Sequence, residues 1–153
     1  MKATVYLETT LVSYLVGRPS DNLIVAAHQE LTRQWWSEHL RNFRGVISRF
    51  VLDEVREGDP VMVRLRLAEL RRFESLPITA EALRLGRALL ATGIFPPESS
   101  LDASHIAMAA AHGVHFLVTW NCRHLANARA AERVRKVCQM EGFACPVICT
   151  PEE

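Results

Sequence analysis

Four oxygen-bearing side chains, Glu8, Glu54, Asp102 and Asn121, lie where an alternating β/α chain could gather them. Glu8 closes the β-branched and aromatic run ATVYLE and is followed by Thr9 and Thr10, so it falls at the carboxyl end of an expected first strand. Glu54 lies on RFVLDEV, a short helical stretch whose apolar face is set by Phe50, Val51 and Val55. At 100° per residue it falls within that arc, with Asp53 and Glu57 at the border. Asp102 belongs to the first turn of a later helix, on the side of His105, Ile106 and Ala109. Asn121 follows VTW at the end of an expected fourth strand. Each has an ordinary alternative: a helix cap for Glu8, a buried salt bridge to a neighbouring arginine for Glu54, dipole complementation for Asp102, and a turn residue for Asn121. Taken together, three carboxylates and an amide make a hard, oxygen-rich set that suits Mg²⁺ or Mn²⁺ and not zinc. Such an ion activates water and neutralises charge developing on a phosphate. Thr9 and Thr119 stand close enough in the chain to hydrogen-bond those ligands.

The elements that must position these residues alternate. Residues 3–8 read as a strand, and TTLVSYLVG as a helix that stops at Gly17. After the loop RPSDN, a long amphipathic helix is expected from Leu23 to about Phe43, capped by Asn22 or Asp21. GVIS at 45–48 is a second strand. RFVLDEVREGD is a short helix ended by Gly58 and Pro60, and residues 61–73 form an arginine-rich helix. FESLPI holds a third strand. Thr79 caps a helix to Gly93, and after the turn FPPESS, Ser99 or Ser100 caps another through His112. VHFLVT at 114–119 is a fourth strand, a helix runs from about Asn127 to Glu141, and PVICT is a fifth strand. This order predicts a three-layer α/β/α sandwich with a mostly parallel five-stranded sheet, in one domain over 1–153. In such sheets ligands sit at the carboxyl ends of the strands, near the switch in strand order.

Composition narrows the classes. The chain has 153 residues, nearly half of them apolar and 23% charged, which fits one folded domain and not a disordered segment. The net charge is +1, so the overall field says little about partners. Sixteen arginines stand against two lysines. Arginine grips phosphate bidentately, and Arg123, Arg129 and Arg133 lie in a basic stretch that could hold a nucleic-acid backbone or be a solvated helix face. Cys122, Cys138, Cys145 and Cys149 lack zinc-ribbon spacing, and reduced thiols are the simpler reading than a zinc site of Cys122, His124 and Cys138. Glu8 breaks any signal-peptide apolar run. The uncharged run from Ala103 to Cys122 contains three histidines, Gly113 and Asn121, and reads as helix, turn and strand rather than as a membrane span.

The runs VYLETTLVSYL, ISRFVLDEV and SLDASHIAMAAAHGVHFLVTWN, in this order and at these separations, resemble the PIN-domain family, especially its VapC-like toxin branch, over nearly the whole chain. The resemblance implies an α/β/α fold and divalent-metal-dependent cleavage of phosphodiesters, with RNA the expected substrate. The family's usual four acids correspond here to Glu8, Glu54, Asp102 and Asn121. Glu8 keeps the charge on a longer arm, and Asn121 keeps an oxygen but removes a charge, so metal should be held more weakly and a second ion is disfavoured. The expectations that follow are Mg²⁺ or Mn²⁺ on Glu8, Glu54 and Asp102, a water oriented by Asn121, and Thr9 or Thr119 supporting the ligands. Arg123, Arg129 and Arg133 are expected on the RNA backbone. In-line attack would leave a 5′-phosphate and a 3′-hydroxyl. The resemblance further implies an antitoxin partner and a possible homodimer, and the reduced thiols read from the cysteine spacing lead to a cytoplasmic location as the expectation.

Two other readings are weighed beside it. Asn121 also fits a catalytically degenerate PIN-fold module that binds RNA or protein. An unrelated doubly wound phosphatase or nucleotide binder is disfavoured, because no G-x-G-x-x-G or P-loop follows a strand and YLETT lacks a second acid two residues on. His105, His112, His115 and His124 are candidate bases, but His105 is expected to be a packed, hydrogen-bonded residue outside the catalytic set. Trp35 and Trp36 could stack on a base or divide between core and partner surface.

Overall fold

A computed structural model describes residues 1–153. Its five strands are β1 (Thr4–Leu7), β2 (Arg44–Ser48), β3 (Glu74–Leu76), β4 (Phe116–Val118) and β5 (Val147–Cys149), ordered β3-β2-β1-β4-β5. All four pairings are parallel, so the expected mostly parallel sheet is wholly so. Val5, Tyr6 and Leu7 are buried on both faces of the sheet, which explains why TVYL shows no polar alternation. The chain builds outward from β1 to β3 and then crosses to β4. The switch in order therefore lies between β1 and β4, where Leu7 pairs with Val118.

Seven helices cover the sheet: α1 (Thr9–Val16), α2 (Leu23–Gln34), α3 (Arg49–Val55), α4 (Pro60–Leu70), α5 (Ala80–Ala91), α6 (Ser100–Ala111) and α7 (Ala128–Met140). The layers are those of an α/β/α sandwich around one apolar cluster. The slimness of α6 matters most for the site. Its alanines bury it along most of its length, and a Cβ added at Gly86 of α5 would stand 3.6 Å from Ala107. Left-handed Gly113 (φ 65°) then turns the chain from α6 towards β4. The uncharged run from Ala103 to Cys122 is thus divided among helix, turn and strand, and no helix is long and apolar enough to cross a membrane.

Two local expectations change. The helix expected through Phe43 is α-helical only to Gln34, then continues as a π-helical turn (Trp35–His39) and a 3₁₀ turn (Leu40–Asn42). The wider turn falls where adjacent tryptophans pack on different partners, Trp35 on Phe43 and Trp36 edge-on to Phe73. Ser99 makes no capping hydrogen bond, because a 3₁₀ turn (Pro97–Ser99) runs straight into α6. The caps expected at Asn22 and Thr79 form, and Asn127, expected as the start of α7, proves to be its cap. Asn22 accepts from Ile24 and Val25, Thr79 from Ala82, and Asn127 from Arg129.

Candidate metal site

Glu8 leaves β1 and caps α1 in one step. Its backbone is extended, and its Oε2 accepts the Thr10 N–H at 3.0 Å, so the capping role is real and belongs to one oxygen. The same oxygen takes the hydroxyls of Thr10 (2.5 Å) and Thr119 (2.8 Å), while Oε1 has no partner in the protein. These hydroxyls are interlocked with the loop after β4. Thr119 Oγ1 accepts the Asn121 N–H at 2.9 Å, and Thr10 Oγ1 accepts the Trp120 N–H at 2.9 Å. Trp120 in turn donates from Nε1 to Thr32 and stacks on His28 with ring centroids 4.0 Å apart, fastening the loop to α2.

Glu54 meets the site from α3. No arginine pairs with it, since Arg49 and Arg56 both go to Asp53. Its Oε1 instead accepts from Thr9 Oγ1 (2.8 Å) and contacts His105 Nε2 at 2.5 Å, and Oε2 is unpartnered. His105 is fully buried, with Nδ1 2.7 Å from the Tyr6 hydroxyl, which lies 2.6 Å from Ser48 Oγ. Asp102 reaches in from the first turn of α6. Its Oδ1 accepts from Asn121 Nδ2 at 3.2 Å, and Oδ2 is unpartnered. Asn121 Oδ1 accepts the His124 N–H at 3.2 Å, so the expected water-orienting oxygen is already in use and the amide acts on the site as a donor.

Each of the three carboxylates therefore has one oxygen held and one free. The electrostatics fit that arrangement. Burial, reinforced by the Glu8 charge, pushes Asp102 up to about 6 against the pull of His105, His124 and the Asn121 hydrogen bond. Burial also opposes ionisation of Glu54, but the His105 hydrogen bond and charge, with the Thr9 hydroxyl, outweigh it and hold the carboxyl below its usual range. Burial works against the His105 imidazolium, yet the Glu54 hydrogen bond and the charges of Glu8, Glu54 and Asp102 raise it. Donor atoms of Glu8, Glu54 and His105 all lie within 4.8 Å of one another, a group that can hold a metal ion. Asp102 stands beside this group, close enough for Glu8 and His105 to act on its charge.

The arginines separate. Arg123 and Arg129 are exposed. Arg133 is exposed too, but it donates to the Thr92 carbonyl at 3.2 Å, which ties it to the end of α5. The alternative zinc set does not assemble, because Cys122 is exposed whereas Cys138 is buried against Cys145. No family model matches the chain, and no curated protein matches it significantly. His105 is the packed, hydrogen-bonded residue expected of it, but its place beside the candidate ligands, and the parts of Thr10, Tyr6 and Ser48, were not anticipated. For His105 the available signal was its place three residues after Asp102, on the same side of α6. For Thr10 it was its adjacency to a strand-ending glutamate.

Proposed function

We propose that this chain is a divalent-metal-dependent endoribonuclease of the PIN-domain type, acting as the toxin of a toxin–antitoxin pair. The observation that carries the reading is the set of three unpartnered carboxylate oxygens, Glu8 Oε1, Glu54 Oε2 and Asp102 Oδ2, at the carboxyl ends of β1 and β4. Hard oxygens in this number suit Mg²⁺ or Mn²⁺. When bound, such an ion would supply positive charge for a phosphodiester and lower the pKa of a water. Thr10, Thr119, Thr9 and His105 hold the other carboxylate oxygens, so the free ones are oriented before any ligand arrives. Asn121 steadies Asp102 by its amide. In this reading the exposed Arg123 and Arg129 would hold an RNA backbone. An antitoxin segment and a second copy of the chain are the partners this reading brings with it.

The second reading, a module that binds RNA or protein without cutting, is favoured by Asn121 alone, which brings no charge to the site and whose oxygen already accepts the His124 N–H. Cleavage of a mixed single-stranded RNA with Mg²⁺ or Mn²⁺, against EDTA and Asp102→Ala controls, separates the two. Cleavage lost in both controls supports the nuclease. Absence of cleavage with either ion moves the reading to the binding module.

A further inference from the structure

His105 sits among the residues that can hold a metal, yet its own geometry argues for a different task. Both ring nitrogens are already engaged, Nδ1 with the Tyr6 hydroxyl at 2.7 Å and Nε2 with Glu54 Oε1 at 2.5 Å. A carboxylate oxygen is acceptor-only, so Nε2 must carry the proton of that contact. In the neutral ring Nδ1 then accepts from Tyr6, and Tyr6 accepts from Ser48. In the imidazolium Nδ1 donates to Tyr6, and Tyr6 donates to Ser48. The Tyr6–Ser48 pair serves either state because both groups are hydroxyls, and in neither state does Nε2 have a lone pair to offer a cation.

The oxygen that His105 holds is also the one that Thr9 holds. Two donors on Glu54 Oε1 leave Oε2 as the only oxygen of that side chain able to turn towards a ligand. Glu8 is held in the same way, through Oε2, by Thr10 and Thr119. His105 itself is fixed on both sides, by full burial in α6 and by the hydroxyl pair reaching it from β1 and β2.

We infer that His105 is a positioning residue rather than a ligand. Held by Tyr6 and Ser48, it clamps Glu54 Oε1 so that only carboxylate oxygens face the ion. This rests on the reading of the cluster as a metal site, but not on the cleavage of RNA. The consequence is that the centre stays purely oxygen-donating although a histidine lies within reach of it.

The test uses the full chain and Mn²⁺ alone. Pulsed electron paramagnetic resonance of the bound ion reports a directly coordinated nitrogen, and calorimetry reports affinity. The expected spectrum shows no nitrogen coupling that His105→Gln removes. Loss of an outer hydrogen-bonding partner typically weakens metal binding by about 10- to 100-fold, and His105→Leu is expected in that range. His105→Gln, which keeps an N–H for Glu54, should recover most of the loss. Tyr6→Phe, which leaves the imidazole without its second partner, should fall between. If His105→Leu does not fold, the glutamine and phenylalanine variants carry the same comparison. Nitrogen coupling present in the wild type and lost in His105→Gln overturns the inference, and so does an affinity unchanged by all three variants. Absence of Mn²⁺ binding to the wild type overturns it together with the metal-site reading, whereas Mn²⁺ binding without RNA cleavage leaves it standing and sinks only the nuclease.

Discussion

Asn121 and Asp102 face each other through one hydrogen bond, the amide Nδ2 donating to Oδ1 at 3.2 Å while the amide oxygen is held by the His124 N–H. Replacing Asn121 by aspartate keeps an acceptor for His124 but sets a second carboxylate against Asp102 where a donor stood. Like charges at that separation oppose one another. In EDTA, Asn121→Asp should therefore melt below the wild type, by about 3 °C for each kcal/mol lost. Added Mn²⁺ should raise its melting temperature more than the wild type's, because a fourth charge helps hold the cation. Identical melting of the two proteins in EDTA would count against the donor role of Asn121.

Asp102 makes the metal-free protein sensitive to pH. Its carboxyl is raised from 3.8 to about 6, chiefly by burial. Across that window the folded chain binds the proton more tightly than the unfolded chain. Stability therefore falls as pH rises, and the whole penalty is present above about 6. Asp102→Asn removes the penalty. In EDTA near neutral pH the variant should be the more stable protein by about 1–2 kcal/mol. Its advantage should shrink as pH is lowered towards the ordinary aspartate range. Denaturation curves at two pH values decide this, and an advantage independent of pH would contradict it.

Thr119 couples two parts of the site through one oxygen, which donates to Glu8 and accepts from the Asn121 backbone. Thr119→Val keeps the shape and removes both bonds. It takes one of three donors from Glu8 Oε2 and leaves the Asn121 N–H without its partner, at a cost of about 1–3 kcal/mol, and Mn²⁺ affinity should fall by about tenfold. Thr119→Ser should restore most of both. A valine variant that binds Mn²⁺ as the wild type does would take Thr119 out of the site.

The exposed arginines should separate in RNA binding. Arg123→Ala and Arg129→Ala are each expected to reduce the slope of log affinity against log salt by about 0.7 for a single strand. Arg133→Ala should reduce the slope less, because one of its N–H groups is held at the Thr92 carbonyl and fixes the side chain at the end of α5. Fluorescence polarisation at several salt concentrations gives the three slopes. A slope lowered only in Arg133→Ala would reverse the assignment.

The sheet was legible because its inner strands are short apolar runs, and TVYL, GVIS and FLV are each bounded by helical spacing or turn residues. Glu54 stood out because a carboxylate fell on the face that Val51 and Val55 bury. The partner it finds was not legible. Local periodicity suggested one of the nearby arginines, but Arg49 and Arg56 turn to Asp53 and His105 arrives from 51 residues away. Tyr6, Ser48 and His105 come from three elements and meet only when the sheet closes, so no spacing within the chain could show that they join. The π-helical turn at Trp35 escaped for a related reason, since Phe43 and Phe73 receive the two tryptophans only in the folded chain.

The position of β1 in the middle of the sheet has a consequence for synthesis. This strand, made before both its partners, pairs with Arg44–Val46 on one side and Phe116–Val118 on the other, and Glu8 receives the Thr119 hydroxyl from 111 residues further on. A chain still leaving the ribosome can dock β2 early, but it lacks α6, β4 and the loop behind them. Contacts this distant form late. Until the chain has emerged past Asn121, Glu8 and Glu54 cannot have both Asp102 and Asn121 beside them. A nascent fragment that stops short of Asn121 is thus without the complete site, and whatever the centre does waits for the loop behind β4.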